Sequence, residues 1–496
     1  MSTGPKITPM LQQYLEIKEQ YPGTILFYRM GDFYEMFFED AEVAAKVLGI
    51  TLTSRSHKDE VNKIPMCGVP FHAVSTYLGK MVKAGFRVAI CEQVEDPKEA
   101  KGIVKRDVIR VVTPGVTTDD QLLDAKADCY VCALVPLKKS AKEMVAGMAF
   151  VDISTGRFQL TEQQFSPRHP EAIIDTFTRL RPAELLLPQS QVEQLHSLTK
   201  DLQAELGQLC ITPRPDVHFD PQAALNTLTE HFRIANLAGF GCDHYTAAIH
   251  AAGALLHYLR ETQKSDLAHI KQLSPLHQSG FLLIDDSSRR NLELTETLVG
   301  GQRQGSLLAA LDQTTTPMGA RLLRRWLLFP LQDQGLIEAR LDSVEELLRK
   351  SSERQQLQQS LAAVYDLERL CSRLVLGHGN ARDLSAIKTS LAQLPAIHQL
   401  LGTLSATLLR ELSADFDLLE DLHSLIDSAI RDEAPISLRE GNLIREGYHE
   451  ELDHLLHLLR DGKQMILDLE QAERARSGIA KLKVGYNKVF GYYFEL

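Results

Sequence analysis

The hydrophobic pattern of this 496-residue chain changes near residue 280. Before that point, short apolar runs of the kind that form strands alternate with amphipathic helical segments, which is typical of α/β domains. After it, apolar residues recur with helical spacing, and long helices are predicted at about residues 353–375, 382–401, 404–430 and 447–475. A chain of this length is too long for one hydrophobic core. The sequence therefore predicts a multidomain protein in which α/β units precede an all-α part.

Turn-forming residues and changes of pattern divide the chain into four predicted domains. Strands and helices alternate up to the Pro114-Gly115 turn, which indicates a small mixed α/β domain. A second α/β unit with a central sheet follows, and the basic, glycine-punctuated end of the chain indicates short strands. The predicted domain bounds are 1–115, 116–266, 267–440 and 441–496.

The charge of the chain is uneven. Its net charge of -11 argues against a protein that coats nucleic acid without specificity. Residues 1–115 hold 15 Lys and Arg against 14 Asp and Glu, a net charge of +1, so the remainder must hold -12. A nearly neutral first domain on an acidic body can still approach DNA through a local basic patch.

The cysteines and the lack of a long apolar run predict a reduced, cytoplasmic setting. The seven cysteines are odd in number and scattered, and the sequence has no signal peptide and no run long enough to span a bilayer. Cys129 and Cys132 have the spacing of half a zinc or redox motif, but they belong to an apolar run with no second pair in range. We interpret them as strand packing rather than as a metal or redox site.

One stretch of the first predicted domain combines an apolar strand, a turn and aromatic residues. The run Thr24–Tyr28 is typical of a buried strand, Gly31-Asp32 is a turn dipeptide, and Phe33–Phe37 follows directly. If Phe33–Phe37 is extended, the alternation of a strand places Phe33 and Glu35 on the same face. An aromatic ring and a carboxylate then point the same way.

Such a pair has a specific use on DNA. Proteins that bend a duplex insert apolar wedges such as Phe between base steps, and unstacking costs least where pairing is already faulty. A carboxylate beside the wedge repels phosphates, so it is useful only if it hydrogen-bonds the displaced base. It would accept from a base N–H as an anion, or donate to a ring nitrogen if burial raised its pKa. From spacing alone, an ordinary half-buried edge strand is the alternative.

The segment Leu26–Phe37, with the sequence LFYRMGDFYEMF, resembles the mismatch-recognition motif of the MutS family of DNA mismatch-repair proteins. The resemblance implies that Phe33 stacks on a mispaired base and that Glu35 hydrogen-bonds it. It also implies double-stranded DNA with mismatches or small loops as the binding partner, in the repair of DNA damage. The expected location is a bacterial-type cytoplasm, with association to the nucleoid when DNA is bound.

Two further stretches of the first domain resemble the same family. The run Ile64–His72 is similar to the family's loop beside the wedge, and this implies that Met66 contacts the minor groove. The run Val108–Gly115 is also similar to the family. Weaker candidates for phosphate or groove contacts are Arg55, Lys58, His72 and Arg110. A solvated loop, or for Arg110 an ordinary arginine at a strand end, is the alternative.

The rest of the chain resembles the connector, core and clamp of the family. The resemblance implies an RNase H-like α/β connector, a long-helix core with a lever, and the start of a β-rich clamp, whose string LKVGYN appears as Leu482–Asn487. In the connector, Asp152 lacks the clustered carboxylates of a metal-dependent nuclease, so we predict no catalytic residue and no metal ligand. In the basic clamp stretch, the predicted DNA-backbone contacts are Arg476, Lys481, Lys483, Asn487 and Lys488.

The end of the chain departs from the family. Members continue into an ATPase domain with a P-loop, but no Gly-x-x-x-x-Gly-Lys-Ser/Thr occurs here. We therefore expect the N-terminal portion of a MutS protein, which is not an enzyme by itself and holds no cofactor; ATP and Mg²⁺ are implied for the full-length family protein. The family's homodimer is expected to be weakened here. Downstream mismatch-repair factors are implied as partners, and no membrane is expected.

These features support two hypotheses of different class. The leading one is a protein that recognises mismatched DNA through the Phe33 and Glu35 pair. The alternative is a helical scaffold or partner-binding fragment that needs the missing ATPase and dimer regions for DNA affinity. A metal-dependent nuclease on the RNase H-like sheet is a third hypothesis, which the lack of clustered carboxylates disfavours.

Overall fold

The computed structural model describes residues 8–55, 64–95, 102–138, 144–166, 169–276, 280–435, 438–487 and 491–496. The chain forms two compact units. One comprises residues 1–379 and 393–417, and the other comprises residues 380–392 and 418–496. Lys58 and Lys488, two of the predicted DNA contacts, lie outside the described residues, as does the side chain of Arg55.

The first unit begins with a sheet of six strands, here called the first sheet. Its strands and helices are α1 (Pro9–Gln20), β1 (Ile25–Met30), β2 (Phe33–Phe37), α2 (Phe38–Leu48), β3 (Thr53–Arg55), β4 (Ile64–Pro70), α3 (Val74–Lys83), β5 (Val88–Gln93) and β6 (Arg106–Val112). The strand order is β3-β4-β2-β1-β5-β6. β1 and β5 run parallel, and the other neighbours are antiparallel.

The two faces of the first sheet pack against different helices. On one face, Phe27, Tyr34 and Met36 are buried against apolar residues of α2 and α3. On the other face, α1 contributes Leu11 and Tyr14 to a second cluster. The alternation of β2 thus places the buried Tyr34 and the exposed Phe33 on opposite faces.

Several local predictions for this domain are confirmed and one is wrong. Phe33–Phe37 is a strand, and the helix that follows ends at Gly49, which has a φ of +67°. The run Ile64–Pro70, predicted to be a loop, is strand β4. Proline and glycine in this run argue against a strand. β4 pairs with β2 on one side and with β3 on the other, and these pairings outweigh the loss of one backbone N–H donor at Pro65.

A second sheet of six strands follows in the same unit. Its elements are β7 (Val131–Lys138), β8 (Met144–Asp152), β9 (Arg157–Phe165), α4 (Glu171–Leu180), β10 (Glu184–Pro188), α5 (His196–Leu206), β11 (Cys210–Arg214), α6 (Pro221–Phe232), α7 (Ala247–Gln263) and β12 (Ser274–Pro275). The strand order is β11-β10-β7-β8-β9-β12. α6 and α7 cover one face, and α4 and α5 cover the other.

The remainder of the chain is mostly helical. Its elements are α8 (Asp286–Asn291), α9 (Leu307–Leu311), α10 (Pro317–Leu328), α11 (Gln334–Arg349), α12 (Ser351–Ala362), α13 (Leu367–Val375), α14 (Ala381–Leu391), α15 (Leu394–Leu401), α16 (Thr407–Ala414), α17 (Glu420–Ala429), α18 (Glu450–Ser477), β13 (Lys483–Asn487) and β14 (Gly491–Glu495). The last two strands form an antiparallel hairpin. α14, α17, α18 and this hairpin belong to the second unit.

Of the four predicted long helices, only the last is a single helix, α18. The other three predictions are wrong, because each stretch contains two shorter helices. Pro395 lies in the first turn of α15 and has no N–H to continue a preceding helix. Asp366 caps α13 by accepting a hydrogen bond from the Arg369 amide. Leu419, with a φ of +49°, precedes α17 and interrupts the third stretch.

No helix within the described ranges combines the length and the apolar character that crossing a lipid bilayer requires.

Candidate nucleic-acid interface

The turn between β1 and β2 presents Phe33 at the end of the first sheet. Gly31 has a φ of +57°, a conformation that glycine adopts without steric cost. The carbonyl of Asp32 accepts a hydrogen bond of 2.8 Å from the amide of Phe71, which directly follows β4. The turn is therefore tied to a second strand at the point where Phe33 begins β2.

The exposure of β2 alternates as the sequence predicts. The Phe33 side chain is 48% exposed, whereas Tyr34 is 3% exposed and Met36 is fully buried. Glu35 is half-buried and, two residues from Phe33, shares its face of the sheet. A large apolar ring and a carboxylate thus lie side by side on the surface that α1 only partly covers.

The Glu35 side chain lies beside a glycine of the neighbouring strand. On β4, Gly68 lies directly opposite Glu35. A Cβ atom at Gly68 would lie 3.6 Å from Cγ of Glu35 and 3.3 Å from the carbonyl oxygen of Tyr34. The tighter of these two distances is to the backbone of β2, whereas the Glu35 side chain lies over β4 at an ordinary van der Waals distance from Gly68.

Met66 belongs to the same face. It pairs with Phe37 of β2 and with Thr53 of β3, whose hydroxyl donates to the Met66 carbonyl at 3.0 Å. Directly paired residues share a face, so Phe33, Glu35 and Met66 line one surface of β2 and β4. Met66 is half-buried and packs against the cluster that contains Phe37. The structure therefore brings the three predicted mismatch contacts together.

The weaker candidates of this region occupy the border of the same two strands. The backbone of Arg55 pairs with Ile64, two residues before Met66. His72 is exposed in the short 3-10 turn Phe71–Ala73 that follows β4. Their contact with DNA stays a prediction, as does that of Lys58.

Arg110 lies on the opposite face from Phe33. It pairs with Ile90, which is buried beside Tyr34 in the cluster covered by α2 and α3. Burial lowers the pKa of its guanidinium, while the nearby Asp119 raises it. Burial, together with the positive charge of the nearby Arg110, lowers the pKa of the His378 imidazole to about 4. The structure does not group Arg110 with the wedge candidates.

Arg106, which was not among the predicted contacts, is a basic residue on the same face of the first sheet as Phe33. Its guanidinium carbon lies 4.9 Å from the centre of the Tyr28 ring, and its Nε donates to the carbonyl of Arg29 at 2.7 Å. Its Nη2 is 3.7 Å from the sulfur of Met30, the residue that pairs with Phe33. The alternation of a strand could have placed it there, because Arg106 is two residues from the buried Val108 and therefore on the same side of β6.

The second unit carries the other group of predicted contacts, on the β13–β14 hairpin and the end of α18. Lys481 and Lys483 are exposed, and neither has an ion-pair partner among the described residues. Tyr486 and Tyr492 are 62% and 65% exposed, with ring centres 5.0 Å apart. Asn487 ends β13 and is half-buried. Exposed cations beside exposed rings suit contact with a nucleic-acid backbone and sugars.

Arg476 is more constrained than the two lysines. Its Nε lies 3.1 and 3.0 Å from the two carboxylate oxygens of Glu473, one turn earlier on α18. This hydrogen bonding lowers the pKa of Glu473 and raises that of Arg476. A phosphate would have to share Arg476 with that carboxylate.

The buried Asp152 of the second sheet has a structural role. Asp152 is fully buried at the end of β8, and its oxygens accept hydrogen bonds from the amide and hydroxyl of Ser154 and the amide of Cys129. Burial, together with Asp128, raises the pKa of the Asp152 carboxyl. Within the described residues, no cluster of three or more His, Cys, Asp or Glu side chains has a geometry that could hold a metal ion.

Comparison with protein families matches three successive domain models of one family. MutS domain I matches residues 8–121, MutS domain II matches residues 129–271, and MutS domain III matches residues 287–483. The first of these contains the whole first sheet, and the second contains nearly all of the second sheet.

Curated relatives match along the whole chain. The DNA mismatch repair protein MutS of Desulfatibacillum aliphaticivorans is 45% identical over 494 residues, which is 100% of this chain and 54% of that protein. The proteins of the same name from Symbiobacterium thermophilum and Myxococcus xanthus are each 44% identical over 99% of this chain, covering 55% and 54% of their own lengths. The chain spans about half the length of these relatives.

Proposed function

Because the chain belongs to the MutS family, we propose that it binds double-stranded DNA at mismatched base pairs. Phe33 stacks on the mispaired base, Glu35 hydrogen-bonds it, and Met66 supports the kinked groove. The proposal extends to small unpaired loops, which offer an unstacked base in the same way.

One observation carries this proposal. Phe33 leaves 48% of a large apolar side chain exposed at the start of a strand whose following aromatic residue is buried. Fully burying a ring of this size stabilises a folded protein by roughly 1.5–3 kcal/mol. The exposed Phe33 gives up part of that stabilisation. Its position at a turn that is tied to β4, and beside a carboxylate, suits a side chain that inserts into a duplex.

Selectivity would come from the deformability of the DNA. Opening a base step costs a few kcal/mol, and the cost is lowest where the bases are mispaired. Stacking of a base on an aromatic side chain returns roughly 1–3 kcal/mol. The sum of the unstacking cost and the stacking gain is therefore favourable at a mismatch and unfavourable in a matched duplex. This selectivity does not depend on reading any particular base sequence.

Glu35 would add discrimination of a different kind. A carboxylate near the phosphates is repelled by them, so it weakens binding to any duplex in which no base reaches it. A displaced base that donates an N–H to Glu35 compensates for this repulsion. The half-buried position of Glu35, over Gly68, suits such a contact.

The exposed lysines of the β13–β14 hairpin would hold phosphates without reading bases. We propose Lys481 and Lys483 for this role, with Arg476, Asn487 and Lys488 as further backbone contacts. Each phosphate contact made by a cation releases counterions, so this part of the affinity should fall as salt rises.

The longer relatives suggest activities beyond these 496 residues. ATP hydrolysis with Mg²⁺, assembly as a homodimer and signalling to later repair factors are proposals for a full-length protein of this family. No P-loop motif occurs in the present sequence, so we assign the recognition step alone to it.

The experiment is a fluorescence-anisotropy titration of this chain with a duplex that carries one G·T mismatch and with its matched twin, each at two salt concentrations. We expect tighter binding to the mismatched duplex at both salt concentrations, with a similar salt dependence for the two. Equal affinity for the two duplexes would contradict the proposal.

A second candidate function, a helical scaffold, is favoured by one apolar surface. On α11, Leu341, Val344 and Leu348 are between 60% and 69% exposed and recur at helical spacing. Absence of binding to either duplex in the titration would favour this candidate.

A further inference from the structure

Beneath the β1–β2 turn, on the face opposite Phe33, lies a buried arginine with an aromatic partner. Arg29 is 4% exposed and pairs with Tyr34 across the strands. Its guanidinium carbon lies 3.5 Å from the centre of the Phe71 ring and 5.5 Å from that of Tyr34. The guanidinium therefore packs against the ring of a residue that directly follows β4.

The same arginine holds the turn by hydrogen bonds. Its Nε donates to the carbonyl of Gly31. Its Nη1 lies 3.5 Å from Oε1 of Glu92, the carboxylate oxygen that also accepts from the Tyr34 hydroxyl. The Phe71 amide donates to the carbonyl of Asp32 at 2.8 Å. Both residues of the turn are thus fixed by the Arg29–Phe71 pair.

We propose that Arg29 and Phe71 are positioning residues for the wedge, which hold the Gly31-Asp32 turn so that Phe33 is already placed for insertion before DNA binds. This inference rests on the proposed mismatch-binding function. Gly31 gives the turn conformational freedom. Ordering it only on binding would reduce affinity, whereas a turn fixed in advance avoids that entropic cost.

The contacts require the shape of arginine. A planar guanidinium can lie against the Phe71 ring while its Nε reaches Gly31 and its terminal nitrogen faces Glu92. A lysine ammonium keeps the positive charge beside Glu92 but cannot make the planar contact and both hydrogen bonds together. Arg29→Lys therefore removes the contacts that hold the turn while it keeps the positive charge at this position.

The first test uses the full chain without DNA. In hydrogen exchange, the Phe71 amide reports the Asp32 contact directly. We expect Arg29→Lys to speed exchange at this amide several-fold, with exchange in β7 and β8 of the second sheet unchanged. Unchanged exchange at Phe71 in a folded Arg29→Lys protein would overturn the inference. If Arg29→Lys does not fold, Phe71→Leu removes the ring from a residue that is 37% exposed and gives the same readout.

The second test adds DNA. A duplex carrying 2-aminopurine next to a G·T mismatch reports unstacking of the neighbouring base through its fluorescence. We expect Arg29→Lys to lose most of the mismatch-dependent signal and of the mismatch preference, with affinity for matched duplex unchanged. Phe71→Tyr, which keeps the ring, should retain both, and Phe71→Leu should behave like Arg29→Lys.

The outcomes separate this inference from the proposed function. If the unmodified chain shows no mismatch signal, the proposed function fails, and the exchange experiment alone decides whether Arg29 holds the turn. If the unmodified chain discriminates, Phe33→Ala abolishes the signal and Arg29→Lys retains it in full, the function stands and the positioning role of Arg29 is refuted.

Discussion

The two six-stranded sheets of the first unit use their faces differently. In the second sheet, β7, β8 and β10 are buried almost throughout, between α6 and α7 on one face and α4 and α5 on the other. In the first sheet, α1 covers only part of one face, and Phe33 stays 48% exposed at its margin. A sheet that is buried on both faces is a scaffold. The first sheet, in contrast, leaves a margin uncovered. Its exposed ring and carboxylate there are suited to contact another molecule.

Four substitutions test this contrast. Two address the first sheet, one addresses the second, and one addresses the hairpin of the other unit.

The largest expected effect is on stability, in the second sheet. A Cβ atom at Gly147 of β8 would lie 2.0 Å from the carbonyl carbon of Ala247, at the start of α7. Gly147→Ala must therefore displace α7 from the sheet, at a cost of about 3 kcal/mol. Urea unfolding should show a clearly lower midpoint. Gly239→Ala, where no atom lies within 4 Å of the added Cβ, is the control and should leave the midpoint unchanged.

The second expected effect is on selectivity, in the first sheet. Phe33→Ala removes the ring that we propose to stack on the mispaired base, and about 1–3 kcal/mol of stacking corresponds to a loss of mismatch preference of roughly 5- to 150-fold. Competition binding with mismatched and matched duplexes measures the loss. The control is Val217→Ala, which removes a 66% exposed apolar side chain of the second α/β domain. A similar loss of preference in both variants would contradict the contrast between the sheets.

Glu35→Ala should change the two duplex affinities in opposite directions. Binding to the mismatched duplex should weaken by about tenfold, because the charge-assisted hydrogen bond that we propose between Glu35 and the base is lost. Binding to the matched duplex strengthens slightly, because a carboxylate no longer faces the phosphates. Separate titrations with each duplex show both changes. Glu42→Ala, at an exposed position of α2 on the other side of the sheet, should change neither.

The smallest expected effect is at the hairpin. Lys481→Ala should weaken binding to mismatched and matched duplexes alike, by about two- to threefold, and reduce the slope of log affinity against log salt by about one. Salt-dependent anisotropy titrations measure both quantities. Lys200→Ala removes an exposed lysine from α5 and serves as the charge-matched control. A selective loss of mismatch binding in Lys481→Ala would show that the hairpin reads the mismatch.

The local part of the candidate site was predictable from the sequence. The alternation of Phe33–Phe37 and the helix that ends at Gly49 depend on neighbouring residues, and both agree with the structure. β4 was not predictable, because Pro65, Gly68 and Pro70 argue against a strand and only pairing with β2 and β3 overrides them.

The parts of the site that depend on distant residues were not predictable. The contact between Arg29 and Phe71 joins residues far apart in sequence, and no local pattern signals it. The face on which Arg110 lies depends on the irregular register between β5 and β6 at Ile90 and Cys91. The three divided helices show the same limit, since apolar periodicity continues across breaks that a cap at Asp366 or a proline at 395 creates.

The most direct test of the account is a photo-crosslink from the mismatch itself. A duplex with 5-iodouracil opposite guanine places a reactive base at the mispaired position, and mass spectrometry then identifies the protein residue that it joins. We predict a crosslink to Phe33 that is strong with the G·iodouracil duplex and weak when iodouracil is paired with adenine. Equal crosslinking in both duplexes, or a crosslink that maps to the β13–β14 hairpin instead, would contradict the claim that the uncovered margin of the first sheet reads the mismatch.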